Sequence, residues 1–105
     1  DFDSSISRNY YAMYYMAKAV LLTKNIRTKT HSGTINRFGE CFIKTNIFPK
    51  KIGRDLSNAF EKRLIGDYAI FKKVKINEVK KFLKTGKKFV NTLKNYLKEE
   101  GFLQK

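Results

Sequence analysis

Apolar residues along this chain recur at intervals of three and four, and no stretch shows the alternation that a half-buried strand requires. The first series is Ile6, Tyr10, Met13, Tyr14, Ala17 and Leu21, the stripe of an amphipathic helix. Asp3, Ser4 or Ser5 can cap its start, and the spacing predicts a helix to about Lys24. Tyr11, Tyr15 and Leu22 form a second stripe on another side of the same helix. A helix that is apolar on two sides belongs in the middle of a bundle.

The segment from Asn25 to Gly33 is polar and reads as a connector, with Thr30 or Ser32 placed to cap a short helix. The inner face of that helix is Ile35, Phe38, Phe42 and Ile43, and Asn46 closes it. Pro49 stands where a first helical residue would, opening a helix that buries Ile52, Leu56, Ala59 and Phe60 and ends near Gly66. Asp67 to Lys75 form a second connector, after which Asn77 caps a long helix. Its inward positions are Val79, Phe82, Leu83, Gly86, Phe89, Val90, Leu93 and Leu97, and Gly101 stops it. Four helices with short loops predict an all-α, up-and-down bundle within a single domain over residues 1–105.

Fifteen Phe and Tyr among 105 residues supply a core, while the net charge of +14 marks a chain suited to polyanions. The charge is uneven, with +8 of it in residues 72–105. Lys80, Lys84, Lys87 and Lys88, continued by Lys94 and Lys98, fall on the outer side of the last helix. They are either a solvated bundle surface or a track for nucleic-acid phosphates. The lone Cys41 cannot form an internal disulfide, which points to a reducing, cytoplasmic setting, and its spacing suggests a small buried side chain. Tyr10 to Ala17, the longest apolar run, is too short to span a bilayer. No residues have metal-ligand spacing, and no cofactor is expected.

Three segments stand out together: Ser7-Arg8-Asn9-Tyr10-Tyr11-Ala12, Lys29-Thr30-His31-Ser32-Gly33, and Arg63-Leu64-Ile65-Gly66-Asp67-Tyr68. Their order and wording resemble the prokaryotic HEPN family, small helical proteins often encoded beside a minimal nucleotidyltransferase. Many HEPN members are RNA-cutting toxins. Family members carry a further helix before the Ser-Arg-x-Tyr-Tyr helix. The chain begins at Asp1, not Met, so the resemblance implies a bundle of four to five helices whose first is absent from this sequence. Either that helix or a second subunit would cover the second stripe, and a homodimer is expected.

The family's usual catalytic pair is an Arg followed after four to six residues by a His. Here Arg63 is present and Tyr68 stands where the His would fall. A neutral His accepts a proton near pH 7, whereas a phenol with a pKa of about 10 does so poorly. Arg63, Asp67, Tyr68 and the one histidine, His31, are therefore the catalytic candidates for a metal-independent endoribonuclease with an incomplete motif. The bland reading is an Arg–Asp pair that ties down a turn, with His31 capping the following helix. Arg8, expected on a buried flank and paired with Asp67 or Glu61, joins Lys80, Lys84, Lys87 and Lys88 as a nucleic-acid or nucleotide contact. Two functions are open. One is an RNA-acting, toxin-like protein with weak or absent cleavage. The other is a non-catalytic module that docks a nucleotidyltransferase or its nucleotide.

Overall fold

The computed structural model describes residues 2–66 and 76–104. Four α-helices follow one another: α1 (Phe2–Leu22), α2 (His31–Phe38), α3 (Lys50–Gly66) and α4 (Ile76–Glu99), with a π-helical turn, Gly39–Ile43, extending α2. No strand occurs among the described residues, and none of their helices is long and apolar enough to cross a membrane. The all-α bundle read from the periodicity is the observed architecture.

Helix α1 is the central element and packs most extensively against α4 and α3. Its buried residues are Ile6, Tyr10, Met13, Tyr14, Ala17, Val20 and Leu21, the expected first stripe with Val20 added. The second stripe behaves differently. Tyr11 is half-buried with the Arg63 side chain of α3 against it, while Tyr15 and Leu22 stay 61% and 47% exposed.

Each helix end has a local cause. After α1 the chain turns at Asn25, whose φ of 60° is a left-handed value that Asn tolerates, and the Ile26 N–H donates to the Leu21 carbonyl at 3.1 Å. Thr30 caps α2, its hydroxyl oxygen accepting from the Gly33 N–H at 2.9 Å. Wholly buried Thr34 donates to the Thr30 carbonyl at 2.9 Å and meets the Thr28 hydroxyl at 2.5 Å. The connector is thereby fixed at both edges. Asn46, at φ 62°, ends the second helical unit as expected.

Three helix starts differ from the expectation. Helix α1 already includes Phe2, so Asp3, Ser4 and Ser5 lie inside it and not at its cap. Helix α3 starts at Lys50, one residue beyond Pro49, and α4 starts at Ile76, which puts Asn77 inside its first turn. Capping residues also favour first-turn sites, so the sequence signal for a start is good to one or two positions. Buried Val79, Phe82, Gly86, Phe89, Leu93 and Leu97 hold α4 against the core. The left-handed Gly101, at φ 84°, then lets the Phe102 N–H close on the Leu97 carbonyl at 2.8 Å. Cys41 is half-buried against the core, less enclosed than its spacing suggested.

At Gly86 the backbone of α4 lies close against Asn9 of α1. A Cβ there would overlap the Asn9 side-chain amide, which donates to the Phe82 carbonyl at 3.4 Å. Gly86→Ala gains up to about 1 kcal/mol of helix propensity but must displace that amide or part the helices, at about 1–3 kcal/mol. A net loss of stability is expected in urea unfolding, and the Asn9→Ala/Gly86→Ala double variant should be more stable than Gly86→Ala alone.

Candidate functional site

The described site is built where α1, α2 and α3 meet. Helix α1 presents Tyr10, Tyr11 and Tyr14, α3 presents Phe60 and Arg63 one turn apart, and the Thr30 cap places His31 as the first residue of α2. His31 is therefore not itself the cap. Its ring stacks on Tyr14 at a centroid distance of 4.3 Å and 14°, and more loosely on Tyr10 and Phe60. Tyr11 meets it edge-on at 5.9 Å. The Tyr10 hydroxyl and His31 Nδ1 lie 2.5 Å apart.

Arg63 enters from the last turn of α3. Its Nη2 donates to the Tyr11 hydroxyl at 3.0 Å, and its guanidinium sits 5.4 Å from the centre of the same ring. Its Nε is buried and has no hydrogen-bond partner among the described residues. Among the described residues the Tyr11 phenol is the guanidinium's one hydrogen-bond partner, and a planar guanidinium suits an anion.

The electrostatics follow from burial and nearby cations. His31 is shifted below its ordinary 6.5, first by burial and then by the positive charges of Arg63 and Lys18, so the imidazole is neutral at pH 7. Lys18 lies 5.5 Å over the outer ring, Tyr14. Tyr10 is shifted above its ordinary 10.0, mainly by burial and also by Tyr14, against a smaller lowering by Arg63. Its phenol stays protonated.

The sequence-derived candidates fall into three groups. Arg63 and His31 share the aromatic site. Asp67 and Tyr68 lie outside the described residues. Arg8 is exposed, not on a buried flank, because the covering side of α1 faces elsewhere, and no ion pair joins it to Glu61 among the described residues. In solvent it needs no partner. It stands one turn before Tyr11, adjacent on the helix surface to the phenol that holds Arg63. Lys80, Lys84, Lys87 and Lys88 are exposed on α4, away from the stripe that packs on α1.

Spacing alone assigns Tyr10, Tyr14 and Phe60 to the core and Tyr11 to the second stripe, and gives no sign that they build a site. The available signal was a single His among 105 residues and six Tyr, four of which crowd one helix. A groove of about 770 Å³ lies elsewhere, between the π turn and α3, with Gly39, Ile43, Gly53 and Arg54 on its walls; neither His31 nor Arg63 lines it.

Because the fold holds His31 neutral, the unfolded chain binds more protons than the folded one below the ordinary 6.5. Stability from this group is complete above that value and declines as pH falls through it. Urea midpoints measured from pH 7.5 downward should show this decline, and His31→Asn, which does not titrate, should lack that component.

The model of the HEPN domain matches residues 1–96. A Methanocaldococcus jannaschii protein that carries the name "Putative toxin" is 37% identical over 103 residues, 98% of this chain and 70% of its own length. A UPF0332 protein of Gloeobacter violaceus is 48% identical over 67 residues, covering 64% of this chain and 53% of that protein. A UPF0332 protein of Archaeoglobus fulgidus is 37% identical over 94 residues, 90% of this chain and 74% of its own length. The chain thus spans between about half and three quarters of these relatives. With an all-helical bundle and the matched segments running through α1, α2 and α3, the chain belongs to the HEPN family.

Proposed function

We propose that this protein is a toxin-like HEPN protein that binds RNA, with weak or absent ribonuclease activity, and that it works with a nucleotidyltransferase partner. The observation that carries the reading is the meeting of Arg63 and His31 on one cluster of tyrosine rings of α1, Arg63 bonded to Tyr11 and His31 to Tyr10. A phosphodiester offers acceptors to the guanidinium, and half-buried Tyr11 with exposed Tyr15 offers ring surface to unpaired bases. The net +14 and the exposed lysines of α4 favour a polyanion without specifying its sequence. The name of the Methanocaldococcus relative supports the toxin half of the proposal.

Cleavage needs a base for the 2′-hydroxyl. With Tyr68 in the usual His position, a phenol of ordinary pKa near 10 is a poor one at neutral pH. Binding does not need it. RNA affinity should therefore fall steeply with added salt, persist in Tyr68→Phe, and drop in Arg63→Ala. Cleavage of total RNA should be slow in the wild type and faster in Tyr68→His. Vigorous cutting by the wild type with no gain in Tyr68→His would remove the assignment of Tyr68 to the vacant position. Absence of binding at low salt would favour the docking module over the RNA reading.

A homodimer belongs to the same proposal. Leu22, Phe102 and Leu103 form an exposed apolar group at one end of α1, of a kind that commonly marks an interface. Light scattering should give twice the chain mass, and a monomer at all concentrations would sink the dimer.

A further inference from the structure

We propose that Tyr10 is a positioning residue that fixes His31 in its Nε2–H tautomer, so that the imidazole meets a bound phosphodiester as a hydrogen-bond donor and not as a base. The tautomer is decided by which atom can satisfy which. Tyr10 is wholly buried, and among the described residues its hydroxyl has one partner, His31 Nδ1. A buried phenol O–H must donate to an acceptor, or the hydrogen bond it made to water is lost without replacement. If Nδ1 carried the proton, it would donate to the phenol oxygen and leave the O–H with no acceptor. If Nδ1 is bare, the phenol donates to it and both groups are satisfied. A neutral imidazole then carries its hydrogen on Nε2.

The ring cannot escape this choice by turning. A half-rotation about its Cβ–Cγ bond would set a carbon against the phenol oxygen and again orphan the O–H. Stacking on Tyr14 at 4.3 Å, with Tyr11 at its edge and Phe60 beyond, holds the ring plane. The charge state agrees. Burial, Arg63 and Lys18 all disfavour the imidazolium, in which Nδ1 would become a donor facing the phenol. The same Arg63 adds donors of its own to the site, since its guanidinium has no acceptor function. His31 and Arg63 together make a site that can only donate. Such a site grips a phosphate and cannot deprotonate a 2′-hydroxyl, which reassigns His31 from candidate base to anion ligand.

The tautomer stands on geometry alone, while its phosphodiester ligand rests on the proposed RNA binding, and the two are tested separately. In nitrogen-15 NMR of the wild-type protein at pH 7, His31 Nδ1 should resonate as an unprotonated, pyridine-type nitrogen and Nε2 as the protonated one. In Tyr10→Phe the two forms should mix. A wild-type spectrum with the proton on Nδ1, or a folded Tyr10→Phe with the tautomer unchanged, would overturn the positioning role. Should Tyr10→Phe not fold, the wild-type spectrum decides by itself. For the ligand, a labelled oligouridylate is titrated at low salt. His31→Gln places an amide N–H close to where Nε2–H lies and should keep most of the affinity, whereas His31→Ala should lose about tenfold. Equal losses in two folded variants would overturn the donor role. No binding by the wild type would remove the phosphodiester together with the RNA reading and leave the tautomer to the spectrum.

Discussion

The structure turns on a hydroxyl that has no water to bond. Burying a Tyr ring contributes about 1.5–3 kcal/mol, and leaving its O–H unsatisfied would cancel most of that. Tyr10 sits at the centre of α1 with no exposed surface, so its partner must come from another element. The partner is His31, and the precision of its placement explains the polar detail of the preceding connector. Thr30 caps α2, Thr34 bonds back to Thr30, and Thr28 bonds to Thr34. These contacts set the first residue of α2 within reach of Tyr10. The core and the candidate site thus share Tyr10 and Tyr14, and a change at either residue touches both.

Arg63 extends the same logic toward the surface. A half-buried guanidinium needs compensation, and Tyr11 supplies it through both its hydroxyl and its ring face. That cation in turn discourages a second one on His31. Two basic residues therefore share the site by carrying one charge between them near neutral pH.

Much of this was legible in the residue pattern. The buried stripe of α1, the inner face of α4, the left-handed Asn46 and Gly101, and the Thr30 cap all follow from local rules that tertiary packing does not contradict. Membership of the HEPN family was legible in the words around Arg8, His31 and Arg63. The pairing of Tyr10 with His31 was not, since the same apolar spacing suits a Phe and nothing local distinguishes a hydroxyl with a distant partner. Arg8 misled for a related reason. Tyr11 and Ala12 one turn later are apolar, which suggests a buried flank, but Arg8 is exposed among the described residues. Asp67 and Tyr68 fall beyond the described residues, so their part of the motif rests on sequence.

The π turn between α2 and the Asn46 corner carries a different kind of information. In Gly39–Ile43 the helix widens to hold one residue more than an ordinary turn, while Phe38 just before it and Phe42 within it stack at 5.6 Å and share Phe48. The wide turn absorbs the extra residue without rotating the chain beyond it. Removing one residue there would close the turn to an ordinary α-helical one and leave both flanks in phase. Anywhere else in the helices, a deletion of one would swing all later side chains by about 100° about the axis. This turn is therefore the place in the helices where the loss of one residue would displace the flanking side chains least.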